Sequence, residues 1–124
     1  MQVIAATDSP QFEVPGTEFT GLASPSRGSS EIGTWRIRVA ADLHSPASHT
    51  LDRDEIFMIS SGAIQVSPGG PLVGAGDTAV VPARTPIQLV NAHAERAEAY
   101  VVVRADFTGT FENGSTIHTP PWAR

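Results

Sequence analysis

Short runs of alternating apolar and polar residues, separated by Gly and Pro, dominate the chain. Within residues 34–40, Trp35, Ile37 and Val39 alternate with two arginines, which is the period of a half-buried strand. No stretch has the 3.6-residue period of an amphipathic helix. Many short strands, with turn residues about every eight to twelve positions, favour an all-β sandwich or barrel.

The remaining predicted strands follow from the same pattern. They are expected at 18–23 (an edge strand), 55–59, 63–66, 78–81, 86–90 and 97–104. Residues 67–71, Ser-Pro-Gly-Gly-Pro, have the composition of a turn. Residues 100–103, Tyr-Val-Val-Val, form a continuous apolar run, so their strand is predicted to be buried on both faces.

The two ends of the chain differ from the middle. Residues 1–16 are mixed in composition and are expected to cross the surface. Residues 113–124 end in Thr-Pro-Pro-Trp-Ala-Arg. Because Trp122 is a large apolar side chain, this tail is expected to pack on the barrel or on a neighbouring subunit. A disordered end is the alternative.

Composition excludes several classes of function. The 124 residues, 40% of them hydrophobic and 17% charged, fit one ordinary globular domain. The chain has no Cys, which excludes disulfides, thiolate zinc sites and a Cys nucleophile. Its eight basic residues are all Arg, so a lysine Schiff base is excluded. The net charge of −5 disfavours nucleic-acid binding. No signal segment or membrane-spanning run is visible, and a cytoplasmic location is expected.

Two segments about thirty residues apart carry the residues of chemical interest. The first, from His49 to Gly62, reads His-Thr-Leu-Asp-Arg-Asp-Glu-Ile-Phe-Met-Ile-Ser-Ser-Gly. The second, from Gly76 to Asn91, reads Gly-Asp-Thr-Ala-Val-Val-Pro-Ala-Arg-Thr-Pro-Ile-Gln-Leu-Val-Asn. Together they resemble the paired signature of the cupin superfamily, in which His-x-His, Glu and Gly are followed by Gly, Pro-x-Gly, His and Asn.

The resemblance keeps the spacing but only part of the usual ligand set. His49 and Glu55 match two of the family's metal-ligand positions. Leu51 and Ile87 stand where the other two histidines belong, and Arg84 replaces the glycine of Pro-x-Gly. The metal-binding motifs are therefore degenerate in this chain.

What the resemblance implies about fold is specific. It implies a single-domain cupin double-stranded β-helix, a small RmlC-like jelly-roll barrel that spans residues 1–124. The barrel core is expected at about 34–105, between an N-terminal arm at 1–33 and a C-terminal tail at 106–124. Small cupins pair through edge strands, so the resemblance also implies a homodimer. Pairing would cover the unpaired backbone N–H and C=O groups that an exposed edge strand presents.

A pocket for a small organic molecule follows from strand alternation. Side chains two positions apart share a face, and the resemblance places these faces inside the barrel. The predicted apolar wall consists of Leu51, Phe57, Ile59, Ile87 and Leu89. The polar points are His49, Glu55 and Asn91. Such a mostly apolar wall with few polar groups is typical of small-molecule sites.

Each polar candidate has a plainer interpretation. His49 can be a residue of a polar loop, Glu55 a surface carboxylate, and Asn91 a turn residue. Arg84 is either a surface charge or a residue at the barrel mouth that attracts an anionic ligand. The register shared by His49, Glu55 and Gly62 favours the inward interpretation for the first two.

No tightly held metal is predicted. A catalytic centre normally has three protein ligands, and only His49 and Glu55 remain. The alternative is a divalent ion held weakly by these two, with a third ligand from His44, His93 or His118.

Three hypotheses about function follow. The first is a metal-independent enzyme of the isomerase, cyclase or dehydratase type, in which His49 and Glu55 transfer protons on a mostly apolar substrate. The second is a metal-dependent cupin oxygenase or isomerase that uses the same two residues. The third is a ligand-binding module without catalysis. The sequence leaves open whether the protein is an enzyme.

Overall fold

The computed structural model describes residues 1–124 and consists almost entirely of strands and loops. The strands are β1 (Gln11–Val14), β2 (Thr17–Gly21), β3 (Ile32–Val39), β4 (Leu43–His44), β5 (His49–Leu51), β6 (Glu55–Ser61), β7 (Ala63–Gln65), β8 (Leu72–Gly74), β9 (Thr78–Val81), β10 (Val90–Asn91), β11 (Ala97–Arg104), β12 (Thr108–Phe111) and β13 (Thr116–His118). Short 3-10 turns occupy Ala6–Asp8, Pro25–Arg27 and Pro121–Ala123. The predicted all-β class is confirmed. None of the helical segments is long and apolar enough to cross a membrane.

The strands form three antiparallel sheets. The largest has the order β1-β2-β3-β11-β6-β9, the second β4-β10-β7-β8, and the third β13-β12-β5. An isolated bridge between His49 and Ile87 joins β5 to the segment that precedes β10. Two backbone hydrogen bonds of 3.1 and 2.7 Å hold this bridge. The two motif segments are thereby fixed side by side.

The centre of the large sheet follows the alternation seen in the sequence. On β3, Trp35, Ile37 and Val39 are buried, while the residues between them are partly exposed. Strand β11 alternates in the same way, and its Tyr100 is 40% exposed. The prediction that residues 100–103 are buried on both faces is therefore wrong. No layer of the chain covers the outer face of this sheet, where Val80 is also 62% exposed.

Three other elements differ from the sequence prediction. The strand expected at 18–23 is β2, but it lies inside the sheet because β1 pairs with it and takes the edge. Residues 1–16, expected only to cross the surface, supply that edge strand. The strand expected at 86–90 is reduced to the bridge at Ile87 and to β10.

The C-terminal tail packs back on the barrel, as expected. The Trp122 ring stacks on Phe19 of β2 with 3.9 Å between ring centroids and an angle of 18° between planes. The Arg27 guanidinium donates a hydrogen bond of 3.0 Å to the Trp122 carbonyl. The Ser24 hydroxyl donates to the Arg124 carbonyl. Strand β2 and the loop after it thus hold the tail in place.

The glycine that closes the first motif has a structural role. Gly62 has a φ of 70°, a conformation that side chains with a Cβ disfavour. A Cβ at this position would lie 2.9 Å from the Ala97 Cα and 2.9 Å from the Arg96 carbonyl oxygen. The turn from β6 to β7 therefore passes too close to the start of β11 for any larger residue.

Gly62→Ala should lower the free energy of unfolding by about 3 kcal/mol, because it adds backbone strain and a clash with main-chain atoms. Gly69→Ala is the matched control, since Gly69 has a φ of 67° but no atom within 4 Å of its added Cβ. The control should lose only about 1 kcal/mol. Urea denaturation of both variants measures the difference, and equal losses would contradict the close approach at Gly62.

Candidate functional site

An apolar cavity of about 270 Å³ lies inside the barrel. Most of its lining side chains are hydrophobic. The wall consists of Val14, Thr17, Phe19, Trp35, Ile37, Ser45, His49, Leu51, Glu55, Phe57, Ile87, Gln88, Leu89, Phe107, Phe111, Ile117, Pro120 and Trp122. The only ionisable side chains among them are His49 and Glu55.

The structure brings together six of the residues that the sequence singled out. They are His49, Leu51, Glu55, Phe57, Ile87 and Leu89. On β5 and on β6, the lining residues are two positions apart, so they point to the same face. The bridge between His49 and Ile87 then places the second motif beside the first. Their functional roles stay predictions.

Glu55 begins β6 and is only 4% exposed. Its partners on the neighbouring strands are Val103 of β11 and Val81 of β9, so no cation or donor lies beside it in the sheet. Its carboxyl oxygen Oε2 is buried without a hydrogen-bond partner. Because burial disfavours the charged form, it raises the pKa of Glu55 to about 8. The carboxyl group is therefore protonated at neutral pH.

His49 begins β5 and is half-buried at the cavity wall. Its ring lies 6.1 Å from the Phe111 ring, and Phe111 is its cross-strand partner on β12. Burial lowers the pKa of His49 below its ordinary value, because the imidazolium would lose hydration. The imidazole is therefore neutral at neutral pH.

The two groups thus have the reverse of their usual order of acidity. In water a carboxylic acid gives up its proton at a lower pH than an imidazolium does. In this cavity the carboxyl keeps its proton while the imidazole lacks one. The two side chains make no ion pair with each other. A proton donor and a proton acceptor therefore line one apolar cavity without neutralising each other.

Three predicted site residues lie elsewhere. Ile59 is buried in the core but does not line the cavity. Arg84 is exposed in the turn after β9, where it has a φ of 65° and its backbone N–H donates to the Leu51 carbonyl at 2.7 Å. Its side chain does not line the cavity, and its role at the barrel mouth stays a prediction.

Asn91 has a structural position and not one in the pocket. It is completely buried, and its amide nitrogen donates to the carbonyl oxygens of Val39, Ala40 and Glu95 at 3.4, 3.1 and 2.9 Å. Its side-chain oxygen accepts a hydrogen bond of 3.1 Å from the His93 backbone N–H. Both the nitrogen and the oxygen of the side-chain amide are therefore hydrogen-bonded to the backbone. Asn91 holds these backbone segments together and does not face the cavity, which corrects the predicted role in ligand binding.

Apart from Phe57, the sequence did not identify the aromatic side chains of the wall. Trp35 could have been included, because it lies on the predicted inner face of its strand. Phe107 directly precedes β12 and Phe111 ends it. Because residues an even number of positions apart point to the same face of a strand, the two rings share a face. Phe19 and Trp122 meet only through tertiary packing between β2 and the tail, for which no local pattern exists.

The side chains present do not fit a three-ligand metal centre. No group of three or more His, Cys, Asp or Glu residues could hold an ion. Leu51 and Ile87 occupy the wall beside His49 and Glu55, and aliphatic side chains cannot coordinate a metal. The other histidines, His44, His93 and His118, are exposed and do not line the cavity.

Comparison with solved structures shows the fold. The chain is similar to an RmlC-like cupin protein from Ralstonia eutropha, with a TM-score of 0.74 and 13% identity over 98% of this chain and 79% of that one. It is similar to the polyketide cyclase RemF from Streptomyces resistomycificus, with a TM-score of 0.71 and 18% identity over 84% and 79%. For a sugar phosphate isomerase of the cupin superfamily from Silicibacter pomeroyi, the TM-score is 0.65 and the identity 24%, over 86% and 78%.

These similarities confirm the predicted cupin jelly-roll fold. No protein-family model and no curated protein sequence matches the chain. Since proteins of one fold carry out different reactions, the chemistry must be argued from the cavity.

Asn91→Ala should lower the free energy of unfolding by about 2–4 kcal/mol, because it leaves buried carbonyl groups without donors. Asn113→Ala is the control, since Asn113 is exposed and bonds only to Ser115 nearby. It should lose no more than about 1 kcal/mol. Denaturant titration compares the two, and equal losses would show that the Asn91 amide is not structural.

Glu55→Gln should remove a pH dependence of stability. The folded-state pKa of Glu55 is about 8, against a reference value of 4.5. Below pH 4.5 both folded and unfolded states hold the proton, and no stability is lost. Between pH 4.5 and about 8 only the unfolded state releases the Glu55 proton. The free energy of unfolding therefore falls by about 1.4 kcal/mol for each pH unit in this range. Above the folded-state pKa both states have lost the proton, and the decline ends.

Denaturant titration between pH 5 and 9 measures this slope. In Glu55→Gln the fall should be absent, while Glu13→Gln, at an exposed carboxyl on β1, should keep it. A wild-type protein whose stability does not decline over this range would contradict the neutral form of Glu55.

Proposed function

We propose that this cupin-fold chain is a metal-independent acid–base enzyme of the isomerase, cyclase or dehydratase type, acting on a mostly apolar small organic molecule. The observation that carries the proposal is the pairing of a buried, unpartnered Glu55 carboxyl with a neutral His49 imidazole in one apolar cavity. Groups whose environments shift their acidity in this way are typical of catalytic sites.

The chemistry available to the pair is proton transfer next to a carbonyl group. The Glu55 carboxyl donates its proton to the carbonyl oxygen of a substrate, and His49 takes a proton from the adjacent carbon. The products are an enol, a carboxylate and an imidazolium. Return of the protons to new positions completes an isomerisation and restores both side chains. Enolisation is also the first step of many cyclisations and dehydrations.

The rest of the wall positions the substrate. Leu51, Phe57, Ile87 and Leu89 offer apolar contacts on the two motif segments. Because His49 and Glu55 make no ion pair with each other, the substrate itself connects donor and acceptor. Two of the structural neighbours, a polyketide cyclase and a sugar phosphate isomerase, support this reaction class.

A binding module without catalysis is the second candidate. It is favoured by the lack of a direct contact between the two polar groups, since catalytic partners are often in hydrogen-bond reach.

The structure describes one chain, so the predicted homodimer stays a prediction, as does the cytoplasmic location.

Deuterium exchange in D₂O tests the proposal without knowledge of the natural substrate. The probe is tetralone, an apolar aromatic ketone, and NMR follows exchange at the carbon beside its carbonyl. The wild-type protein, treated with a chelator, should accelerate exchange over buffer. Glu55→Gln and His49→Gln should each reduce the acceleration by about 10²–10⁴-fold, while Glu13→Gln should leave it unchanged.

The pH profile of the same exchange has two expected limits. The rate should fall above about pH 8, where Glu55 loses its proton, and again in acid, where His49 gains one. Exchange that is unchanged in Glu55→Gln would exclude the acid–base role. Exchange that vanishes with the chelator and returns with a divalent ion would favour the metal-dependent alternative.

A further inference from the structure

Aromatic rings form much of the cavity wall. They are Phe19, Trp35, Phe57, Phe107, Phe111 and Trp122. The centroids of the Trp35 and Phe107 rings lie 6.0 Å apart, with an angle of 37° between the ring planes. The Trp122 ring stacks on the Phe19 ring. Aromatic side chains pack on flat π-systems by stacking or edge contacts. The wall therefore favours a flat aromatic ligand over a flexible aliphatic one.

The cavity offers no partner for a charged ligand. No Arg lines it, and the chain has no Lys. Glu55 and His49 are both uncharged at neutral pH. Burying an ion without a partner is costly, so a carboxylate or phosphate group is disfavoured there.

One polar feature of the wall is left without a partner by the protein. Glu55 Oε2 is buried and makes no hydrogen bond. By contrast, the Gln88 amide donates to the Ser45 carbonyl at 2.7 Å. A buried polar group without a partner is uncommon in folded proteins and calls for an explanation. A ligand atom that accepts a hydrogen bond would provide one.

The size of the cavity sets the scale of the ligand. Its volume is about 270 Å³, whereas an apolar cavity of about 150 Å³ is large enough to bind benzene. A ligand of two fused rings with a small substituent therefore fits.

From the aromatic wall, the lack of cations and the unpartnered Glu55 carboxyl, we infer that the ligand is an uncharged bicyclic aromatic compound with a carbonyl oxygen that accepts a hydrogen bond from Glu55. This inference rests on the proposed function, because it names the ligand of the same cavity. It also distinguishes this chain from a protein for acidic or phosphorylated substrates.

Three probes that share the naphthalene ring system test the inference by binding at pH 7. Acetylnaphthalene carries the carbonyl, naphthalene lacks it, and naphthoate replaces it with an anion. Tryptophan fluorescence reports binding, since Trp35 and Trp122 line the cavity. Acetylnaphthalene should bind about tenfold tighter than naphthalene, which lacks the acceptor, and at least about tenfold tighter than naphthoate, which buries an unpaired charge.

Glu55→Leu and Glu13→Gln separate the hydrogen bond from simple packing. Glu55→Leu should bind acetylnaphthalene and naphthalene equally, and retained binding of naphthalene shows that the cavity is intact. Glu13→Gln, outside the cavity, should keep the wild-type preference. If Glu55→Leu fails to fold, the wild-type protein at pH 9 or above serves instead, because ionised Glu55 should remove the preference for acetylnaphthalene.

The outcomes separate this inference from the proposed activity. Naphthoate that binds as tightly as acetylnaphthalene, or a preference that survives Glu55→Leu, would overturn the ligand class. Selective binding of acetylnaphthalene without deuterium exchange on tetralone would uphold the ligand class and defeat the proposed catalysis. Failure of all three probes to bind would overturn the inference.

Discussion

The burial of one carboxyl group without a partner is the constraint on which the site depends. Glu55 starts a central strand between Val103 and Val81, where its ionised form would lose hydration and gain no compensating charge. The protein holds it there as a neutral acid. This arrangement costs stability, because a hydrophobic residue would fill the same space without an unsatisfied polar atom. Polar groups that persist in such surroundings are often found at functional sites.

The fold gives this carboxyl its surroundings through the large sheet. Strands β3, β11 and β6 lie side by side, and the inward residues of β11 (Ala97, Ala99, Val101 and Val103) are almost fully buried. The cavity begins where Leu51 of β5 and Ile87, at the isolated bridge to β5, complete the wall.

Strand alternation and the paired motifs predicted much of this structure. The shared faces of β5 and β6 follow from the period of two. Six cavity residues follow from that period together with the family resemblance. The bounds of β11 agree with the strand expected at 97–104. The apolar run at Tyr100 was misleading, because apolar content alone cannot show whether a second layer covers a sheet. Whether a layer is present depends on the whole chain.

Arg84 and Asn91 are absent from the cavity wall for a different reason. Arg84 occupies a left-handed turn, and its side-chain direction depends on that turn and not on strand alternation. Asn91 does lie on a strand and is buried, but its amide already donates to two backbone carbonyls of a distant segment and to the nearby Glu95 carbonyl. A motif position specifies a residue type and an approximate location. Its hydrogen-bond partners depend on loops that the motif does not describe.

The stacking of Trp122 on Phe19 has a consequence for the order of assembly. Phe19 belongs to the second strand, and Trp122 to the last turn of the described chain. Both rings border the cavity, so its wall is incomplete during synthesis until residues up to Trp122 have left the ribosome. Proteolytic removal of the segment that carries Trp122 would open the interior to water even where the sheets survive. The same stack makes the fluorescence of Trp122 a direct reporter of a closed barrel.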